Sequence, residues 1–239
     1  MWRTLEKALA DELSVNPRPV AAFDADGTLW DTDLGESFFK YQIKNSNLPN
    51  MPADPWRHYR DWKESGDPRP AYLWLAQINQ GQRLEQVQAW AKASVDSFDP
   101  LPVFEEQKRW IELLLKNRVD VYIVTASVKW AVEPGAPYLG LRAQDVLGVQ
   151  TKVVDGVVQT EQFGPMTYRE GKPDALLAAT GGRKPFFCSG NTMGDYALLK
   201  SATRVGLAVG AAPEGHELWK TEEDLRGKAA EHGWLAHKF

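Results

Sequence analysis

The sequence predicts an α/β fold with a parallel sheet. Short apolar runs of strand length recur along the chain and are separated by segments with helical spacing, which is typical of such a sheet. Polar residues able to carry chemistry follow directly after several of these runs. The composition of the 239 residues, 43% hydrophobic and 25% charged, is that of a globular protein with a large buried core.

The first predicted elements are a helix and a buried strand. Residues 1–13 have an amphipathic pattern that ends before Pro17 and Pro19, and residues 20–23 follow as a short apolar run. Residues 36–98 have helical spacing over most of their length. Within them, residues 51–72 are rich in proline and charge, which predicts a loop with short helical turns at most.

The rest of the chain alternates between helix and strand. An Asp-Gly pair between two apolar pairs predicts a β-hairpin at residues 153–158. The other predicted elements, in chain order, are a helix at 103–117, a strand at 119–124, a helix at 173–179, a strand at 185–188, a helix at 196–201 and a strand at 205–209. This order supports the parallel sheet.

Charge, hydropathy and cysteine content exclude several classes of function. The net charge of −4, from 28 basic and 32 acidic residues, leaves no basic footprint for nucleic acid. The apolar runs are shorter than the ~20 residues that a membrane helix needs. Cys188 is the single cysteine, so no internal disulfide forms, and we expect a cytoplasmic protein. The sequence does not indicate an oligomeric state.

Polar residues cluster after the predicted strands. Asp24 and Asp26 follow the first strand, and residues two apart on a pleated backbone point the same way. An Asp-Gly pair alone is also typical of an ordinary turn. Further polar groups, in order, are Thr125, Lys172 after a glycine, and the pair Asn191 and Asp195. Since the carboxyl ends of parallel strands share one edge, we expect these groups to converge.

These motifs, taken in order, resemble those of the haloacid dehalogenase superfamily, and specifically of its phosphatases. The resemblance extends from residue 20 to about residue 210. It implies a Rossmann-like core formed by residues 1–30 and 103–239, with a helical cap inserted at residues 31–102. The implied activity is hydrolysis of a small phosphomonoester, with Mg²⁺ as cofactor.

The resemblance assigns a role to each motif. Asp24 is the expected nucleophile, forming an aspartyl-phosphate, and Asp26 the expected general acid and base. The true dehalogenases lack the second aspartate, so Asp26 favours phosphorus chemistry. Thr125 is expected to donate a hydrogen bond to a phosphoryl oxygen, and Lys172 to neutralise another.

The expected metal ligands are Asp24, the backbone carbonyl of Asp26, Asn191 and Asp195. Phosphatases of this kind usually carry aspartate at the position of Asn191. Asparagine offers an oxygen without a charge, so we expect weaker metal binding. Two alternatives stay open, a phosphotransferase that uses the same aspartyl-phosphate and a non-catalytic protein that binds the ligand only.

The segment after the first motif bears on the substrate. Asp33 and Glu36 resemble acids of the phosphoserine and phosphorylcholine phosphatase branch that meet a substrate amine. Their alternative role is that of ordinary acids at a helix start. The cap is also rich in aromatic residues, which would form either a cage for a cationic head group or the apolar core of the cap. The candidate cage residues are Trp56, Tyr59, Trp62, Tyr72 and Trp74.

Overall fold

The fold is centred on a parallel sheet, as predicted. The structure is a computed structural model that describes residues 1–49 and 51–239. Within these residues six parallel strands form one sheet in the order β3-β2-β1-β6-β7-β8, and β4 and β5 form the antiparallel hairpin. The strands are β1 (Val20–Phe23), β2 (Asp120–Val128), β3 (Val146–Val149), β4 (Thr151–Val154), β5 (Val157–Gln162), β6 (Phe187–Gly190), β7 (Val205–Ala208) and β8 (Leu235–Ala236).

Helices cover the sheet and extend beyond its carboxyl edge. In the described part of the chain they are α1 (Trp2–Leu13), α2 (Leu34–Asn45), α3 (Pro55–Lys63), α4 (Arg69–Gln77), α5 (Leu84–Asp96), α6 (Glu105–Lys116), α7 (Lys129–Val132), α8 (Gly171–Thr180), α9 (Tyr196–Ser201) and α10 (Trp219–His232). None of the helices described is long and apolar enough to cross a membrane.

The central strand β1 is covered on both faces. Phe23 belongs to an apolar cluster that includes Trp110 of α6, whereas Val20 and Ala22 belong to a second cluster that includes Leu176 of α8. Burial on both faces explains why β1 is a continuous apolar run without alternation. It also fixes the position of the residues that follow the strand.

Helices α2 to α5 pack around an apolar cluster of their own. Its buried members include Phe38, Tyr59, Leu75 and Val87, and Trp130 of α7 joins them from the sheet side. These helices occupy the region that the sequence assigns to a cap. The division into core and cap domains itself stays a prediction.

The prediction of a loop over residues 51–72 is wrong. Helix α3 occupies Pro55–Lys63, and α4 begins at Arg69. Asp54 caps α3 by accepting a hydrogen bond from Arg57 N at 3.0 Å, with proline in the first turn, where it is tolerated. Tyr59 is buried, and Trp56 and Trp62 pack against the same apolar cluster at a spacing of three residues, so this charge-rich segment is still amphipathic enough to form a helix.

Candidate active site

The candidate active site lies at the carboxyl edge of the sheet, where β1, β2 and β6 are neighbours. Asp24 follows β1, Thr125 lies in β2, and Asn191 follows β6. These side chains reach one cavity of about 630 Å³, which Lys172 and Asp195 also line. The structure thus brings together the groups that the sequence pattern associates.

Asp24 is buried beside a lysine. Its Oδ1 accepts a hydrogen bond from Lys172 Nζ at 2.5 Å, and its Oδ2 accepts one from Thr28 Oγ1 at 3.1 Å. Burial and the nearby Asp195 carboxylate raise the pKa of Asp24 to about 6, although Lys172 opposes the rise. The carboxyl group of Asp24 is therefore held in place by two donors at a buried position.

Lys172 lies in the first turn of α8 and serves two carboxylates. Its Nζ donates to Asp195 Oδ1 at 2.5 Å as well as to Asp24. Burial alone would lower the pKa of Lys172, but Asp195 and Asp24 outweigh that effect and raise it above its ordinary value. The lysine is therefore charged throughout the physiological range and is shared between the two acids.

The Asp26 carboxyl is held by three donors at the cavity wall. Its Oδ1 accepts hydrogen bonds from Trp30 Nε1 and Leu34 N, both at 2.8 Å, and its Oδ2 accepts one from Ser127 Oγ at 2.6 Å. Burial raises the pKa of Asp26 to about 6, against the effect of these hydrogen bonds. A carboxyl with that pKa can give and take a proton near neutral pH.

Thr125 and the end of β2 form the wall next to Asp26. The Thr125 side chain is buried, and its Oγ1 accepts a hydrogen bond from Ser127 N at 3.0 Å. That bond leaves the hydroxyl hydrogen of Thr125 available to a ligand oxygen in the cavity.

Asn191 presents its oxygen towards Asp24. Its Oδ1 accepts a hydrogen bond from Thr28 Oγ1 at 3.2 Å, the same hydroxyl that contacts Asp24, and its Nδ2 donates to Glu222 Oε1 at 3.1 Å. Asp195 is oriented by the backbone of the same turn, since its Oδ2 accepts from Asn191 N at 3.1 Å and Thr192 N at 3.0 Å.

The oxygen atoms gathered here fit a hard divalent cation. Asp24 and Asn191 turn oxygens towards the shared Thr28 hydroxyl, and Asp195 lies on the other side of Lys172. In the residues described, no group of three His, Cys, Asp or Glu side chains could hold a metal ion. A site at this position would therefore need the Asn191 amide oxygen and backbone oxygens in addition to the carboxylates of Asp24 and Asp195.

Asp33 and Glu36 combine a helix-start position with a place on the cavity wall. Asp33 caps α2, with its Oδ1 accepting from Glu36 N at 2.7 Å. Glu36 is buried and forms an ion pair with Lys63 Nζ at 2.8 Å. Both acids line the cavity, as does Lys63. Burial raises the pKa of Asp33 to about 8, and the charges of Asp26 and Glu36 add to the rise.

The structure does not bring Trp74 to the cavity. Its ring packs against Phe39 and His58, with centroid distances of 5.5 and 5.0 Å. The residues that line the cavity include Tyr59 and Tyr72 but none of Trp56, Trp62 and Trp74. The prediction that Trp74 contacts substrate is therefore corrected. Trp56, Trp62 and Trp74 pack against the apolar cluster that helices α2 to α5 share.

Sequence reasoning did not single out four residues of the site. Ser127 and Thr28 contact Asp26 and Asp24, and both lie close to recognised motifs, so a search of the neighbouring hydroxyls would find them. Lys63 and Glu222 lie on α3 and α10, which the sequence pattern did not predict as helices. No local signal connects them with the site. The four residues are Thr28, Lys63, Ser127 and Glu222.

Comparison with known proteins gives one family. The family model for haloacid dehalogenase-like hydrolases matches residues 21–200. A phosphorylcholine phosphatase of Pseudomonas aeruginosa is 22% identical, over 92% of this chain and 81% of its own. A protein of unknown function from Bordetella pertussis Tohama I has a TM-score of 0.73 at 19% identity, over 92% of this chain and 98% of its own. A substrate-bound phosphoserine phosphatase has a TM-score of 0.53 at 16% identity, over 90% of this chain and 98% of its own. These structural likenesses confirm the predicted fold.

Proposed function

The chain belongs to the haloacid dehalogenase-like hydrolase family, and from this premise we propose that it is a Mg²⁺-dependent phosphomonoester hydrolase acting through an aspartyl-phosphate on Asp24. The observation that carries the proposal is the buried contact between Asp24 and Lys172, with the Asp26 carboxyl on the wall of the same cavity. This arrangement offers a nucleophile, a cation for the phosphoryl group and a proton donor at one place.

In the first half of the reaction, a carboxylate oxygen of Asp24 attacks phosphorus, and the bond from phosphorus to the ester oxygen breaks. The Asp26 carboxyl gives its proton to the departing oxygen, so the product leaves as an alcohol. With the pKa of Asp26 raised to about 6 by burial, a useful fraction carries that proton near neutral pH. The hydrogen bonds from Ser127 and Trp30 keep the carboxyl in one orientation.

In the second half, a water molecule attacks the phosphorus of the aspartyl-phosphate. The Asp26 carboxylate takes a proton from that water, the bond between phosphorus and the Asp24 oxygen breaks, and inorganic phosphate is formed. Both residues return to their starting protonation states. The hydroxyl of Thr125 and the Nζ of Lys172 would contact phosphoryl oxygens in both halves.

The metal would be held by carboxylate oxygens of Asp24 and Asp195, by Asn191 Oδ1 and by the backbone carbonyl of Asp26. When bound, Mg²⁺ would neutralise negative charge on the phosphoryl oxygens.

The favoured substrate is a small phosphorylated amine or amino alcohol. The cavity wall facing the sheet edge carries the Glu36–Lys63 ion pair together with the rings of Tyr59 and Tyr72. A head group with both an amine and an anion can bind each member of that pair. A quaternary ammonium instead has to compete with Lys63 for Glu36. We therefore rank phosphoserine-like esters above phosphocholine-like esters. In this proposal residues 31–102 act as the substrate-selecting cap.

The test is a phosphate-release assay on O-phosphoserine, phosphocholine, phosphoethanolamine and an aryl phosphate, with Mg²⁺ and with a chelator. We expect Mg²⁺-dependent release that Asp24→Asn abolishes, with the phosphoryl group trapped on Asp24 by acid quench and mass spectrometry. Asp174→Asn, which removes an exposed acid of α8, is the matched control. Release by Asp24→Asn at the wild-type rate would refute the mechanism.

The head-group preference has its own test. Lys63→Gln should lower kcat/KM for O-phosphoserine by about tenfold, as expected for loss of a charged hydrogen bond, and should improve competition by free choline. The control Lys44→Gln changes an exposed lysine of α2. Equal effects of both variants would refute the assignment. New phosphate esters in the presence of alcohols would identify a phosphotransferase, and phosphate binding without turnover would identify a binding protein.

A further inference from the structure

Glu222 of α10 is a buried acid that pairs with no cation in the part of the chain that the structure describes. Its side chain is 2% exposed, and none of the ion pairs found among the described residues includes it. Instead, Oε1 accepts a hydrogen bond from Asn191 Nδ2 at 3.1 Å, and Oε2 accepts from Ala211 N at 3.0 Å and Ala212 N at 2.9 Å. Burying a carboxylate without a cation is unfavourable, so its presence beside the site needs a reason.

The hydrogen bonds of Glu222 fix which way the Asn191 amide faces. A carboxylate accepts hydrogen bonds but donates none, so it selects the orientation in which Nδ2 points to Glu222. Oδ1 then points towards Thr28 and Asp24. The reverse orientation would set Oδ1 against Glu222 Oε1 and turn Nδ2, which cannot bind a metal, into the site.

Glu222 also places a negative charge next to the site, because only the side-chain amide of Asn191 lies between its carboxylate and the site. Glu222 lies beyond the residues 21–200 that the family model matches. Asn191 itself is neutral, so the hydrogen-bonded pair of Asn191 and Glu222 carries its negative charge on Glu222.

Resting on the proposed function, we propose that Glu222 is a positioning residue, which orients Asn191 as a metal ligand and supplies the charge that Asn191 lacks.

The hydrogen bonds of Glu222 predict how substitutions at Glu222 and Asn191 change the orientation of the Asn191 side chain. In a Glu222→Gln variant the new amide oxygen stays with the two backbone donors, so its nitrogen faces Asn191 Nδ2 and Asn191 must turn its oxygen away from the site. Asn191→Asp alone would set two carboxylates at about the present 3.1 Å contact. The double variant Asn191→Asp, Glu222→Gln restores one donor facing one acceptor.

The test measures Mn²⁺ affinity by electron paramagnetic resonance and Tm by calorimetry, on the whole chain. We expect Glu222→Gln to weaken Mn²⁺ binding by about 10- to 100-fold, the usual effect of losing a residue that orients a ligand. Asn191→Asp alone should lower Tm and bind Mn²⁺ no more tightly than wild type. The double variant should regain at least tenfold of the affinity lost in Glu222→Gln, with a Tm near that of wild type. Asp224→Asn, which alters an exposed acid of α10, is the charge-matched control and should change neither.

Three results would overturn the inference: unchanged Mn²⁺ affinity in Glu222→Gln with wild-type Tm, losses that simply add in the double variant, or no Mn²⁺ binding by the wild type. The proposed hydrolase activity fails separately. A wild-type protein that binds Mn²⁺ but releases phosphate from no ester would overturn that activity and leave the role of Glu222 standing.

Discussion

Replacing Asp33 by asparagine should stabilise the protein at high pH and leave it unchanged in acid. Asp33 caps α2 through the 2.7 Å hydrogen bond from Glu36 N to its Oδ1, and asparagine caps helices about as well as aspartate. The substitution therefore removes the charge and keeps the cap. Burial raises the pKa of Asp33 to about 8, with the charges of Asp26 and Glu36 adding to it and Lys63 opposing it.

The free energy of unfolding depends on pH because the folded and the unfolded chain bind the proton of Asp33 with different affinity. Below about pH 4 the carboxyl is protonated in both the folded and the unfolded chain, and it contributes no pH dependence. As the pH rises towards 8 the unfolded chain loses this proton while the folded chain keeps it, so the free energy of unfolding falls. Above about 8 both states are ionised, and the full destabilisation is present.

The size of the pKa shift of Asp33 sets how much the unfolding free energy of Asp33→Asn differs from that of wild type. A shift of about four units corresponds to at most ~6 kcal/mol, and the partial exposure of Asp33 at the cavity wall reduces it. We expect Asp33→Asn to exceed wild type in unfolding free energy by about 1–3 kcal/mol at pH 9 and by less than ~0.5 kcal/mol at pH 4. Urea unfolding followed by circular dichroism at pH 4, 7 and 9 measures the difference.

The control is Asp54→Asn, which alters a helix cap of the same kind on α3 at an exposed position. Its difference from wild type should not grow with pH. A lower stability of Asp33→Asn than of wild type at pH 9, or the same difference at all three pH values, would show that Asp33 is not a buried acid with a raised pKa.

Three further substitutions test a glycine of the site, an ion pair of α3 and the apolar core. Gly27→Ala should lower stability by at least ~1–3 kcal/mol and weaken Mn²⁺ binding, because the φ of Gly27 is +74° and a Cβ would lie 2.2 Å from Asn191 Nδ2; wild-type Tm and affinity would contradict this. Arg60→Gln breaks the ion pairs with Glu217 at 3.0 Å and with Glu64 at 2.7 Å but should lower stability by no more than ~1 kcal/mol in urea, since both acids are exposed to solvent, and a larger loss would show a stronger role. Leu114→Ala, at a fully buried position, should lower it by about 2–5 kcal/mol in the same assay, and a loss below ~1 kcal/mol would mean that the core there collapses on the deleted side chain.

The sheet was predictable because its signals are local. The central strands are buried on both faces, so each is a short apolar run, and Asp24 and Asn191 stand out as polar residues directly after such runs. Helix α3 was missed although Trp56, Tyr59 and Trp62 recur every three residues and pack against one apolar cluster. The prolines and charged residues around these rings, and the Asp54 cap, are also typical of a loop, and they outweighed that short apolar period.

The contacts within the site were less predictable than its members. Lys63 pairs with Glu36, 27 residues earlier, and Glu222 bonds Asn191, 31 residues earlier. Nothing in the spacing of these residues indicates such pairs, because they depend on how separate helices pack. The tryptophans, in contrast, were conspicuous in the sequence, but their role was not. Composition drew attention to Trp74, but aromatic rings serve a core and a binding cage equally well, and only their position distinguishes the two.

The charges around Asp24 argue for a cation in addition to Lys172. Asp24, Asp195 and Glu222 are all buried within one network of hydrogen bonds, and Lys172 is the cation in contact with two of them. Burial and the neighbouring Asp195 charge raise the pKa of Asp24 to about 6, so both disfavour its ionised form, although Lys172 favours it. A phosphate ester would add up to two further negative charges next to these acids. A bound divalent cation would therefore favour binding of the ester as well as the attack on phosphorus, because each otherwise requires anions to approach one another in a medium of low dielectric constant.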